Sequence, residues 1–75
     1  MIGQRQAKVV EVRPWDVHGV GYVDVALGFQ DRSVETPRLG RESIPDDLRA
    51  GEEVLVTSAM SVVVSIRRAE TETNA

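Results

Sequence analysis

Apolar residues alternate with polar or small ones from Val23 to Phe29. Val23, Val25, Leu27 and Phe29 share one parity, and Asp24, Ala26 and Gly28 take the other. Successive side chains of a strand point to opposite faces, so this period of two predicts a strand with one face buried. Val54 and Val56, set between Glu53, Leu55 and Thr57, predict another. Val62, Val64 and Ile66, set between Ser61, Val63, Ser65 and Arg67, predict a last strand that is nearly apolar on both faces, with Val63 outward. The first strand, QAKVVEVR, changes parity, because Ala7 and Val9 fall on one face by count and Val10 and Val12 on the other. A bulge or sharp bend between Val9 and Val10 reconciles the two sets. A plain strand with one exposed valine is the alternative. The segment DRSVETPRLG predicts a weak edge strand, since Pro37 lacks the donor that a central ladder needs.

No window carries a helical stripe, but SIPDDLRAGEEVLV has the punctuation of one short helical turn. Ser43 suits its cap, Pro45 its first position, Asp46 and Asp47 its positive end, and Gly51 its left-handed stop. Leu48 anchors the turn and Ile44 packs at its start. The four carboxylates Asp46, Asp47, Glu52 and Glu53 therefore read as a solvated turn, since Leu48, Arg49 and Ala50 break the alternating spacing that a calcium loop requires. The expected fold is all-β, a small five-stranded OB-like barrel with one short helical turn between strands 3 and 4. An SH3-like barrel is its nearest rival.

The 75 residues bound a single domain, expected over residues 1–69, followed by a disordered polar tail over 70–75. A chain this short buries only roughly 60% of the surface that its unfolded state exposes. Its thin stability margin makes a partner subunit an expectation, because the absence of cysteine removes disulfides and thiolate zinc sites. The segment MIGQRQAKVV lacks the apolar core of a signal peptide, and no apolar run reaches the length of a membrane span. The chain reads as a soluble cytoplasmic protein.

Nine basic and twelve acidic residues give a net charge of −3, and Glu70 and Glu72 of the tail account for two of the acids. A nearly neutral body lacks the clustered basic excess typical of a nucleic-acid surface. Catalytic constellations are missing as well. His18 is the only histidine, and Asp16 and His18 supply two metal ligands where a site needs more, so neither an enzyme nor a metal site is expected. Trp15, the only tryptophan, falls in RPWDVHGVG, read as the loop joining the first two strands, where OB barrels often place ligand contacts. With Arg13, Tyr22, Arg38 and Arg41 it forms a candidate surface for stacking on a base or on a partner's side chain. A tryptophan capping the barrel end, or buried between subunits, is the competing reading.

RESIPDDLRAGEEVLVTSAMSVVVSI resembles the end of a molbindin or TOBE-type domain, and QRQAKVVEV is similar to that family's first strand. The resemblance implies an OB-type barrel that pairs and forms rings, with molybdate or tungstate held at subunit interfaces. It implies ligand contacts at Ser43, at Thr36, at Arg5 in the amino-terminal run, and at Ser58, which stands where the family has lysine. A weaker similarity, through LRAGEEVLV and the strand order, is to bacterial translation initiation factor one and S1-type RNA-binding domains. The expected function is a non-catalytic binding or assembly module, a homo-oligomer or a subunit of a larger complex, with a small oxyanion as ligand. The alternative is a single-stranded nucleic-acid-binding module.

Overall fold

The computed structural model describes residues 2–69. The expected tail, 70–75, lies outside the described residues. Among these residues six strands form one antiparallel sheet: β1 (Ile2–Val17), β2 (Val20–Phe29), β3 (Val34–Glu35), β4 (Arg38–Gly40), β5 (Glu53–Ala59) and β6 (Val62–Arg68). The hydrogen-bonded order is β3-β2-β1-β5-β6, with β4 also paired to β2. The count exceeds the expected five because the weak third segment is divided. Thr36 and Pro37 separate β3 from β4, and both pieces pair with β2. Among the described residues no pairing joins β6 to β3 or β4, so the ladder is open.

β1 serves two neighbours. Ile2–Lys8 pairs with β5 and Ala7–Val17 with β2, and the register skips between Val9 and Glu11. Val10 is the extra residue and is exposed, while Val9 is buried on one side of it and Val12 packs against the core on the other. The parity change in the sequence is thus a bulge, and a bulge bends its strand and raises its twist. This lets one strand run between two differently oriented parts of the sheet.

A second register shift, between Thr57 and Ser58, places Val63 opposite Ser58 and Ser65 opposite Thr57, with Val64 extra. It overturns the expected parity of β6. Val63, predicted outward, is buried, and Val62 and Val64, predicted inward, are exposed; only Ile66 keeps its face. Simple alternation fails at a bulge because one inserted residue exchanges the two faces.

The helical turn also lies elsewhere. A 3-10 turn occupies Arg41–Ser43, so Ser43 ends it, and its N-cap, Gly40, makes no side-chain capping bond. Pro45–Gly51 follows as tight turns, with Asp47 at φ 56 and Gly51 at φ 94. The left-handed stop at Gly51 is where the sequence placed it, and Leu48 is buried as the anchor. Gly51 N–H donates to Val9 O at 2.7 Å, and Val9 N–H to Glu52 O at 2.9 Å. These bonds tie the connector to β1 at the bulge. Arg68 holds the connector from β6, donating to Glu52 at 2.6 Å and to the carbonyl of Asp46 at 2.7 Å.

Among the described residues the core consists of twelve apolar residues, including Val9, Val25, Leu27, Val54 and Val56 with essentially no exposure, and Phe29 as its one aromatic. None of it lies between Pro14 and Tyr22. There β1 and β2 continue as a hairpin arm to a two-residue turn at His18 and Gly19, the Val17–Val20 pair closing the ladder. Both turn residues have positive φ, 50 and 81, the mirror-image turn whose twist matches that of the flanking strands. RPWDVHGVG, expected as a loop, is therefore strand on both sides of this turn. No helix among the described residues is long and apolar enough to cross a membrane.

Candidate functional site

The outer face of the arm gathers side chains that the sequence scatters over 26 residues, Arg13 to Arg38. Antiparallel pairing sets Trp15 opposite Tyr22, Arg13 opposite Asp24, and Val17 opposite Val20. β4 then sets Gly40 beside Tyr22 and Arg38 beside Asp24. Trp15 Nε1–H donates to Asp24 Oδ2 at 2.7 Å, and Arg38 donates to the same carboxylate through Nε at 2.9 Å and Nη2 at 3.3 Å. The Arg38 guanidinium lies over the Trp15 ring, 4.1 Å from its centroid. Stacking on the ring and a two-point bond to the carboxylate hold it in one plane.

Asp24 is the residue that sequence reasoning missed. It was counted only as a polar position of β2, yet it joins Trp15 to Arg38. The hydrogen bond from Arg38 is the main reason its carboxyl sits below the ordinary carboxylate range, and the Trp15 bond acts the same way against partial desolvation. The only prior signal was that an acid on the outward parity stands diagonally across from Trp15 and near an arginine of the edge strand. Arg13 is likewise neutralised, donating to Glu11 at 2.9 Å.

Four of the five residues expected to form a stacking surface, Arg13, Trp15, Tyr22 and Arg38, therefore share one face. Arg41 does not join them. It leaves the 3-10 turn across Gly21, where a Cβ would come within 2.6 Å of Arg41 Nε, and Gly21 belongs to the opposite face of β2.

The residues expected to hold an oxyanion are dispersed within the protomer. Arg5 donates to Glu35 at 3.0 Å and lies over Phe29, 4.0 Å from its ring centroid. Thr36 lines a pocket of about 150 Å³ with Glu11, Arg13, Asp24 and Ala26. Ser43 lines a different and larger depression, of about 490 Å³, with Ile44, Pro45 and the end of β6. Ser58 lies on β5 between Gly3 of β1 and Val63 of β6. No protein-family model matches this chain, and no curated protein or solved structure matches it.

The second notable surface is the far side of the sheet. β6 is the last strand of the ladder, and it exposes Val62 and Val64; Ile2 and Met60, near Val62 through the pairing of Ala59 with both Ile2 and Val62, extend the apolar strip. Only Arg67 and Arg68 at its end carry charge, and Arg68 is occupied by Glu52. An edge strand with an apolar, uncharged run is open to pairing with another chain.

Proposed function

We propose that this protein is a non-catalytic assembly module of the cytoplasm, built as a partly open OB-type barrel, that self-associates through the β6 edge. The observation that carries this reading is the apolar strip of Val62 and Val64, extended by Ile2 and Met60, on a strand whose outer edge has no partner among the described residues. Two further points support it. A core of twelve residues with one aromatic leaves a thin margin, which a partner subunit raises. If β3 and β4 are taken as one strand interrupted at Pro37, the strand order is that of a five-stranded barrel parted between its third and last strands, with the Arg41–Ser43 turn touching both β2 and β6.

The oxyanion part of the molbindin-type expectation has weaker support. Arg5 is committed to Glu35, and the four candidate residues do not share a pocket, so molybdate or tungstate needs groups from two subunits. Light scattering at micromolar concentration tests the assembly. A dimer or larger species is expected, and the double variant Val62→Lys, Val64→Lys is expected to be a folded monomer; a monomeric parent chain removes the reading. Calorimetry with molybdate, tungstate and sulfate tests the ligand separately, and absence of heat with all three removes it.

A further inference from the structure

The hairpin arm carries a second surface, remote in purpose from the β6 edge. We propose that its outer face docks a protein partner that presents an aliphatic side chain next to a carboxylate. The apolar half of the surface comes from the two cross-strand pairs at the end of the arm. Val17 and Val20 are 38% and 51% exposed and Trp15 is 39% exposed, with Tyr22 beside it. Burial in the core does not account for these residues, because the arm beyond Pro14 contributes nothing to it. Trp, Tyr and Arg are also the types that dominate binding energy where they lie together on an interface.

The polar half is Arg38. Guanidinium has five N–H donors, and Asp24 takes one on Nε and one on Nη2. The remaining donors, both on Nη1 and the second on Nη2, have no protein partner among the described residues. The Trp15 ring beneath and Asp24 at the side fix the group before any partner arrives, so little rotamer freedom remains to be lost on binding. A fixed planar fork with free donors beside an apolar strip matches a carboxylate set beside an aliphatic side chain.

The same face argues against a nucleic-acid backbone. Arg38 is balanced by Asp24 and Arg13 by Glu11, which leaves no local positive excess for a run of phosphates. A single carboxylate needs only the free donors of that one fork and no field of positive charge.

The test uses the full chain with nitrogen-15 label, following the Arg38 Nε–H and Trp15 Nε1–H resonances. The probes are the blocked peptide Ser-Leu-Asp-Leu-Ser, its Asn counterpart, and a short thymidine single strand. Saturable shifts of both resonances by the Asp peptide at millimolar concentration are expected, with the Asn peptide weaker by roughly tenfold or more, as a charge-assisted bond implies. Arg38→Lys is expected to reduce the Asp peptide to the affinity of the Asn peptide. Val17→Ser with Val20→Ser weakens both peptides and leaves the latch resonances of the free protein in place, which separates lost binding from lost folding. The proposal is overturned if the two peptides bind equally, if neither shifts the resonances, or if the thymidine strand shifts them at lower concentration than the Asp peptide. None of these outcomes depends on oligomeric state, so the edge-assembly reading stands or fails separately.

Discussion

Val9 and Val17 are the same residue type on the same strand, eight positions apart; Val9 is 1% exposed and Val17 is 38% exposed. Just before the bulge at Val10, β1 passes between β5 and β2, and Ala7 and Val9 join the cluster that holds Val54, Val56 and Leu27. Beyond it, the strand pairs with β2 alone; Val12 still packs against the core and β4 flanks β2 at Tyr22–Asp24, so only the end of the hairpin, from Asp16 to Gly21, is two-stranded. The ladder bonds are alike in both regions. In the body, removal of apolar surface from water supplies the stabilisation. In the arm, a mirror-image turn, cross-strand pairs and the Asp24 latch set the geometry, and two-stranded ribbons with no core are marginal by themselves. The arm therefore presents a shaped surface that the body does not need for its own folding.

The sharpest way to break this contrast is to truncate one apolar side chain in each region. Leu27→Ala empties a fully buried site and is expected to cost about 3 kcal/mol in denaturant unfolding, a large share of a small domain's stability. Val17→Ala on the arm is expected to stay within about 0.5 kcal/mol. Equal losses from the two would mean that the arm contributes to the cooperative core after all.

A backbone comparison comes next. Gly51 and Gly19 both have left-handed φ with nothing within 4 Å of where a Cβ would stand, so alanine costs backbone strain alone, about 1 kcal/mol at each. The readouts are expected to differ. Gly51→Ala loosens the connector bonded to Val9 and lowers the global unfolding midpoint. Gly19→Ala loosens the arm turn, which appears as faster amide exchange through the ladder around Trp15 and Tyr22, with a much smaller change in midpoint.

The smallest effect is electrostatic, and both regions contain a test of it. Glu52 in the body sits below the ordinary carboxylate range, chiefly through its hydrogen bond from Arg68 and then through the backbone N–H of Arg49. Asp24 on the arm is lowered chiefly by Arg38. A carboxyl that binds protons less readily when folded contributes stability in full above its unfolded-state value, and that contribution fades as pH falls through the lowered folded-state value. In an acid titration, Trp15 emission is expected to follow the protonation of Asp24 in that window. Asp24→Asn removes this step from the Trp15 signal, whereas Glu52→Gln leaves it and flattens the acid side of the global stability curve. A Trp15 signal unchanged by Asp24→Asn would show that the latch does not hold the ring in solution.

Legibility in the sequence followed the period of the side chains. Val23 to Phe29 and Val54 to Val56 stand inward as alternation required, and the double valine at Val9 and Val10 marked a real bulge. Alternation misled at Val62 to Val64, because a run of three valines has no polar member to show which one is extra. The 3-10 turn was displaced to Arg41–Ser43 since serine, proline and aspartate suit any tight turn, and their order does not say which one closes a hydrogen bond. The candidate stacking residues were legible as residue types, and the strand register sets Arg13, Trp15, Tyr22 and Arg38 on one face. Asp24, which joins Trp15 to Arg38, was hidden because these partners lie 9 and 14 residues away.

By itself the sequence determined an all-β chain, the inward face of its two most regular strands, the left-handed stop at Gly51 and the near-neutral body, because these follow from local sterics, period and formal charge. The tertiary structure decided which valine of β6 is buried, where the short turn forms, that the third strand is divided on the edge of β2, and that Trp15 projects from an arm instead of a loop. These depend on register between strands distant in sequence, and one inserted residue exchanges every face beyond it. The same pairing made Asp24 the holder of Arg38 against Trp15, a contact between three strands that no one segment contains.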